Sequence, residues 1–389
     1  MRPGVVVSGS LAQRPDRGGH AWVFLQYLLG LRRLGWDVTF LDRLEPEMCR
    51  DARGRPARVE DSEQLRYLRR VMEGFGLEDD FAVLYDGGRQ VLGLTRREVM
   101  ERVRHSGFLL NVMGFLDDDE ILAATPLKVF LDIDPGFGQM WHELGLADVF
   151  AGHDRHVSIG ENLARPDCGI PDCGLDWITT PQPVVRAHWA PDAGAPLPRE
   201  GAFSSVVSWR GPFGPIEYQG RTYGLRVHEF RRFTSLPRLT SERFELALEI
   251  DPADEEDRRR LAGNGWTILD PRVEAGDPWS YREFIHHSAA EFLVAKNLYV
   301  ETRGGWLSDR SLCYLASGRP VLAQDTGFTQ SYPTGEGLLA YRTLEEAEDG
   351  VARIRRDYRR HSAAALDLAA EYFDSDRVLS RLLGKLGVA

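Results

Sequence analysis

Residues 4–41, GVVVSGSLAQRPDRGGHAWVFLQYLLGLRRLGWDVTFL, read as a strand, a glycine loop, an amphipathic helix and a second strand. Residues 291–323, EFLVAKNLYVETRGGWLSDRSLCYLASGRPVLA, repeat that grammar. Strands that alternate with helices pair in parallel, and right-handed crossovers then give a doubly wound sheet. Two such units, far apart in one chain, predict an α/β protein with two Rossmann-like doubly wound domains facing across a cleft. The chain's 389 residues agree with this, because a single hydrophobic core stops growing at about 250–300 residues.

The pattern assigns the elements. Val5–Val7 form a buried strand, and the following helix carries Trp22, Leu25, Leu28 and Leu29 on one face until Gly35 ends it. Residues 38–41 begin the next strand, and the charged stretch 45–80 is an insertion above the sheet, helical or looped. Strands are expected at 81–85, 107–112, 128–133 and near 149–151, followed by a loop over 160–180. The Pro- and Ala-rich segment APDAGAPLPREG marks a linker at 191–200, dividing a first domain (1–190) from a second (201–372). After it come strands at 203–208, 244–250, 266–269, 291–294 and 320–323, with helices at 223–233, 253–264, 280–289 and 309–317. From Thr343 a pair of helices closes the domain, and 373–389 has the apolar spacing of a helix that braces the two halves.

Composition narrows the class. No apolar run approaches the roughly 20 residues needed to span a membrane, and the first residues lack a signal peptide's apolar region, so a cytoplasmic protein is expected. The net charge of −11 argues against a nucleic acid partner, although a local basic groove still suits a diphosphate. Four cysteines are too scattered for a disulfide framework, and the RPDCGIPDCG phrase reads as tight turns rather than half of a zinc site.

Several residue types carry chemistry. Gly18 and Gly19 allow close backbone approach at a helix start, where unpaired N–H groups and the helix dipole favour anions; a purely structural glycine turn is the rival. Ser308, Asp309, Arg310 and Ser311 begin a second helix beside Gly304, Gly305 and Trp306, which together offer a cap, a guanidinium fork, close approach and a stacking face. Asp325, Thr326 and Gly327 follow a buried strand, where Asp325 accepts sugar hydroxyls or forms a turn. Asp132 and Asp134 form a D-x-D pair that lines the cleft on the acceptor side rather than holding a metal. His20, at the start of the first helix, is the candidate general base, with His142, His153 and His156 as alternatives.

GGHAWVFLQYLLGLRRLGWDVTFL resembles the opening of GT-B glycosyltransferases, and SLCYLASGRPVLAQDTG resembles their donor-domain phrase. SSVVSWRG followed by GRTYGLRVHEF is similar to the strand, arginine loop and basic helix start that these enzymes set against the donor diphosphate; Arg210 matches the loop arginine, and Arg226 falls near the family's lysine. The resemblance implies a metal-free transfer of sugar from a nucleotide diphosphate sugar to a small-molecule or glycan hydroxyl, with no cofactor beyond the donor itself. Aligning on ASGRPV puts Cys313 and Gly305 where many members carry a glutamate pair, so retention and inversion both stay open. A nucleotide-sugar epimerase and a noncatalytic sugar-nucleotide or glycan binding protein are the alternatives.

Overall fold

The structure is a computed structural model that describes residues 2–163, 165–191, 197–211 and 213–388. The linker expected at 191–200 lies largely outside the described residues, at 192–196. Eight strands build the first sheet: β1 (Gly4–Ser8), β2 (Asp37–Leu44), β3 (Phe81–Tyr85), β4 (Gln90–Gly93), β5 (Ser106–Val112), β6 (Lys128–Asp132), β7 (Arg155–Ser158) and β8 (Trp177–Thr179). Their spatial order is β4-β3-β2-β1-β5-β6-β7-β8, parallel except where β4 meets β3. The continuous apolar run Val5–Val7 is buried on both faces, as a central parallel strand requires.

The second sheet uses β9 (Phe203–Ser208), β12 (Phe244–Glu249), β13 (Trp266–Leu269), β14 (Ala290–Leu293), β15 (Val321–Gln324) and β16 (Leu338–Tyr341). Its order is β13-β12-β9-β14-β15-β16, parallel throughout. A separate hairpin, β10 (Ile216–Tyr218) and β11 (Arg221–Tyr223), sits between β9 and the short helix Arg226–Phe230. The expected two doubly wound α/β sheets are therefore present.

One apolar cluster runs from Val5 and Val7 through Trp22, Phe24 and Leu28 of the first helix (Gly18–Arg33) to Tyr281, Leu312 and Tyr314 beside the second sheet. Two smaller clusters cover the outer faces, one around Val6, Leu41 and Leu109 and one around Phe203, Phe244 and Phe292. The last helix, Ser375–Leu386, buries Val378, Leu379, Leu382 and Leu383 and lies against the first helix, where Arg33 pairs with Asp376 at 2.9 Å. The chain returns there through a bond from the Val184 amide to the Phe373 carbonyl at 2.8 Å. Among the described residues no helix is long and apolar enough to cross a membrane.

Several expectations move. Residues 149–151 form a turn, and the strand lies at β7, because Gly152 at φ +76° reverses the chain first. The helix expected over 223–233 is only Arg226–Phe230, since β11 claims Tyr223. Within 45–80 the amphipathic helix Glu63–Gly74 is capped by Ser62, and β4, β8 and β16 extend the sheets beyond the expected strands.

Candidate functional site

Strand order reverses between β1 and β5 in one sheet and between β9 and β14 in the other, and open α/β sheets bind ligands beyond the carboxyl ends at such points. The two carboxyl edges face each other. Asp134, just past β6, takes the Lys296 ammonium at 2.8 and 2.9 Å, and Lys296 lies just past β14. Arg17 Nη1 donates to Glu249, the last residue of β12, at 2.7 Å. Asn162 donates to the carbonyls of Arg303 and Gly327, each at 3.0 Å.

The arginines expected in this cleft serve mainly the second sheet itself. β9 and β14 pair only at Phe203–Ala290 and Ser204–Glu291, and two buried guanidinium groups occupy the gap beyond. Arg226 donates to the carbonyls of Val294 (3.0 Å) and Ser208 (2.9 Å); Arg310 donates to Glu291 (2.6 Å) and the Val206 carbonyl (2.8 Å). The fork expected of Arg310 for a diphosphate thus spends Nε and Nη1 inside the sheet, while its buried Nη2 has no partner among the described residues. Burial, reinforced by the charge of Arg310, pulls Arg226 down to about 10. Arg210 turns outward to pair with Asp254, with Nε at 2.7 Å.

Lys296, absent from the sequence expectations, is a further cation at the cleft, itself paired with Asp134 and donating to the Tyr299 hydroxyl at 3.2 Å. Its ammonium lies 4.8 Å from the Phe137 ring centroid, 5.7 Å from Phe213 and 5.1 Å from Tyr299. Burial lowers its pKa, and the adjacent Asp134 carboxylate opposes the shift. Glu229 braces the loop behind it by accepting from Asn297 at 2.8 Å and from Gln324, whose amide oxygen receives the Ala295 N–H at 3.1 Å. A lone Lys in the apolar run LVAKNLY was the only sequence signal.

The glycine turn is closed rather than open. A Cβ on Gly305 meets Asn162 at 2.9 Å and one on Gly304 meets Ile170 at 2.5 Å, so these residues admit the first body instead of a phosphate. Trp306 is buried and stacked on Tyr299, with centroids 4.3 Å apart, which removes it as a stacking platform. Ser308 caps the helix Asp309–Ala316, Asp309 is partly buried, and Ser311 is buried beside Glu291. Asp325 is the turn-former: its carboxylate accepts from Gly327 N (2.9 Å), Thr329 and Arg342 (2.6 Å), leaving no free face for a sugar. Thr326 bonds the Trp306 carbonyl, and Gly327 takes φ +93° where a Cβ meets Arg303 at 2.6 Å. Cys313 is buried against Gln26 of the first helix, and Glu301 is exposed.

In the first body, Gly18 and Gly19 lie under the helix Pro278–His287. A Cβ on Gly18 meets the Asp277 carbonyl at 2.1 Å, and one on Gly19 meets the Tyr281 ring at 2.9 Å, so the structural role of the pair wins. His20 Nε2 sits 3.0 Å from the Ser10 carbonyl, an acceptor only, which assigns the proton to Nε2 and leaves Nδ1 its lone pair. Burial first, then the charges of Arg14 and Arg17, lowers His20 to about 4. Asp132 and Asp134 do not converge. Asp132 accepts from Gln139 (2.7 Å) and Ser158 (2.9 Å) and is pushed up to about 6 by burial, while Asp134 faces Lys296. His153 is 3.0 Å from the Asn111 amide, His142 pairs with Asp148 at 3.3 Å, and His156 faces the Phe150 carbonyl. Asp42, also unanticipated, holds the loop after β1 through the Ala12 amide at 2.6 Å.

No family model and no curated protein sequence matches the chain. Solved structures match along its whole length. HepE from Anabaena in complex with UDP-glucose superposes with a TM-score of 0.59 at 11% identity, over 99% of this chain and 100% of that one. The fold is GT-B. Sucrose-phosphate synthase from Thermosynechococcus elongatus gives 0.56 at 12% identity over 99% of both chains. An alpha-glucosyltransferase in complex with UDP-glucose and DNA containing an abasic site gives 0.54 at 13%, over 100% of this chain and 99% of that one. That last structure overturns the exclusion of nucleic acid drawn from net charge. A GT-B protein does hold DNA, and a charge summed over a whole surface says nothing of one groove.

Proposed function

We propose that this GT-B chain moves a sugar from a nucleotide diphosphate sugar to an acceptor hydroxyl, in the cytoplasm, with the donor on the second body and the acceptor on the first. The observation that carries this reading is the Lys296 ammonium at the switch point of the second sheet, held against Asp134 of the first. Negative charge grows on the departing nucleoside diphosphate, and a fixed cation in a desolvated setting stabilises that charge at little cost in reorganisation. Arg226, buried behind it, adds to the same field. The acceptor oxygen bonds to the anomeric carbon as the carbon–oxygen bond to phosphate breaks, and the hydroxyl proton passes to Nδ1 of His20. The similar structures with UDP-glucose support a uridine donor.

Calorimetric titration of uridine diphosphate into the wild type and into Lys296→Ala tests the assignment. Loss of a charge-assisted contact of about 1.5–3 kcal/mol weakens binding by about ten-fold or more. Equal affinity in both proteins rules out Lys296 as the phosphate contact.

A further inference from the structure

A cavity of about 270 Å³ opens between the two bodies along the first helix, lined by Trp22 and Arg32, by Phe75 at the end of the helix Glu63–Gly74, by His188, and by Trp279 and Arg282 of the helix Pro278–His287. None of its established contacts belongs to the catalytic proposal. Its walls are aromatic: Phe75 lies parallel to Trp279 at 5.6 Å and edge-on to Trp22 at 5.3 Å, while His188 packs 5.6 Å from Trp22 and 5.7 Å from Phe75.

Its charge is one-sided. Among the described residues no acidic side chain lines the cavity. Among the described residues Arg282 has a buried Nε with no partner and one carboxylate neighbour, the exposed Glu283 at 3.3 Å. Among the described residues Arg32 donates to the carbonyls of Phe75 (2.8 Å) and Gly76 (2.5 Å) and pairs with no carboxylate. His188 registers the resulting field: after burial, the charges of Arg282, Arg33 and Arg32 lower its pKa. Apolar ring surface beside uncompensated guanidinium groups is complementary to a flat ring that bears an acid.

We propose that this cavity binds a planar aromatic monoanion, its ring against Trp22, Phe75 and Trp279 and its acid group on Arg282 and Arg32. Because Trp22, Phe75 and Arg32 belong to the first body and Trp279 and Arg282 to the second, an occupant bridges the two.

The test compares 2-naphthoate with its neutral isostere 2-naphthamide by calorimetry on the full chain. Naphthoate is expected to bind about ten-fold tighter than the amide, a difference that Arg282→Gln abolishes while leaving the amide's affinity unchanged. Trp279→Ala weakens both probes. Naphthoate also raises the titration midpoint of the His188 ring protons in NMR, and naphthamide does not. Equal binding of acid and amide, no binding of either at millimolar concentration, or an Arg282→Gln variant that still prefers the acid overturns the proposal. Arg282 is partly exposed on its helix, so circular dichroism of the variant is expected to match the wild type.

Discussion

Lys296 and Asp134 lie 162 positions apart and meet at 2.8 Å across the two bodies, with the lysine side chain 11% exposed and the aspartate 18%. Removing one partner of such a pair leaves the other charge buried, at a cost of about 3–5 kcal/mol. Asp134→Asn is therefore expected to lower the unfolding midpoint. If Lys296 receives the diphosphate, saturating uridine diphosphate restores more stability to Asp134→Asn than it adds to the wild type. A uniform ligand shift in both proteins contradicts that role. His20 gives a second prediction at this scale. Its folded pKa, about 4, is below the ordinary 6.5, so between those values the unfolded chain binds more protons and this residue costs stability as pH falls. Denaturant titrations from pH 7 to pH 4 are expected to show a shallower loss in His20→Asn than in the wild type. As general base it also sets an acid limb of kcat/KM near pH 4, and His20→Asn lowers kcat by about 10²–10⁴. A limb near 6.5, or unchanged kcat, assigns the proton to another group.

At the scale of elements, long apolar and alternating segments were legible, and short edges were not. Val5–Val7 and the Gly18–Arg33 helix follow directly from apolar runs and helical spacing, whereas β8 is three residues inside a Gly-, Pro- and Asp-rich stretch. The helix starts at Gly18 and Ser308 were equally visible from glycines and caps, yet their occupants were not. Tyr281 and Asn162, which fill those turns, come from the opposite body. Likewise Arg226 and Arg310 were recognisable as cations, but their partners, the backbone carbonyls of Val206, Ser208 and Val294 and the Glu291 carboxylate, are marked by no local pattern. The last helix was legible from Val378, Leu379, Leu382 and Leu383, and its packing makes a prediction. A Cβ at Gly30 meets Leu379 at 2.5 Å and Ser375 at 3.1 Å. Leu379→Ala is expected to cost about 2–5 kcal/mol through the cavity it leaves. Gly30→Val costs about 1–3 kcal/mol through overpacking at the same helix crossing. Chemical denaturation checks both, and wild-type stability in either variant contradicts this contact.

At the scale of the whole molecule, two doubly wound sheets share an apolar interface and leave a charged seam where their carboxyl edges meet. The seam's carboxylates answer to protein partners: Asp132 to Gln139 and Ser158, Asp134 to Lys296, Glu249 to Arg17. Transfer is accordingly expected to survive chelation by EDTA, and abolition reversed by magnesium or manganese would show that a metal carries the diphosphate instead. The net charge of −11 sums the whole surface, so it does not exclude a nucleic acid such as the DNA held by the alpha-glucosyltransferase of the same fold. The most direct measurement is release of nucleoside diphosphate from a panel of nucleotide sugars, with acceptor hydroxyls drawn from small molecules, glycans and DNA. Acceptor-dependent release from at least one donor is expected, reduced about ten-fold or more in Lys296→Ala. No release and no binding across the whole donor panel would contradict it.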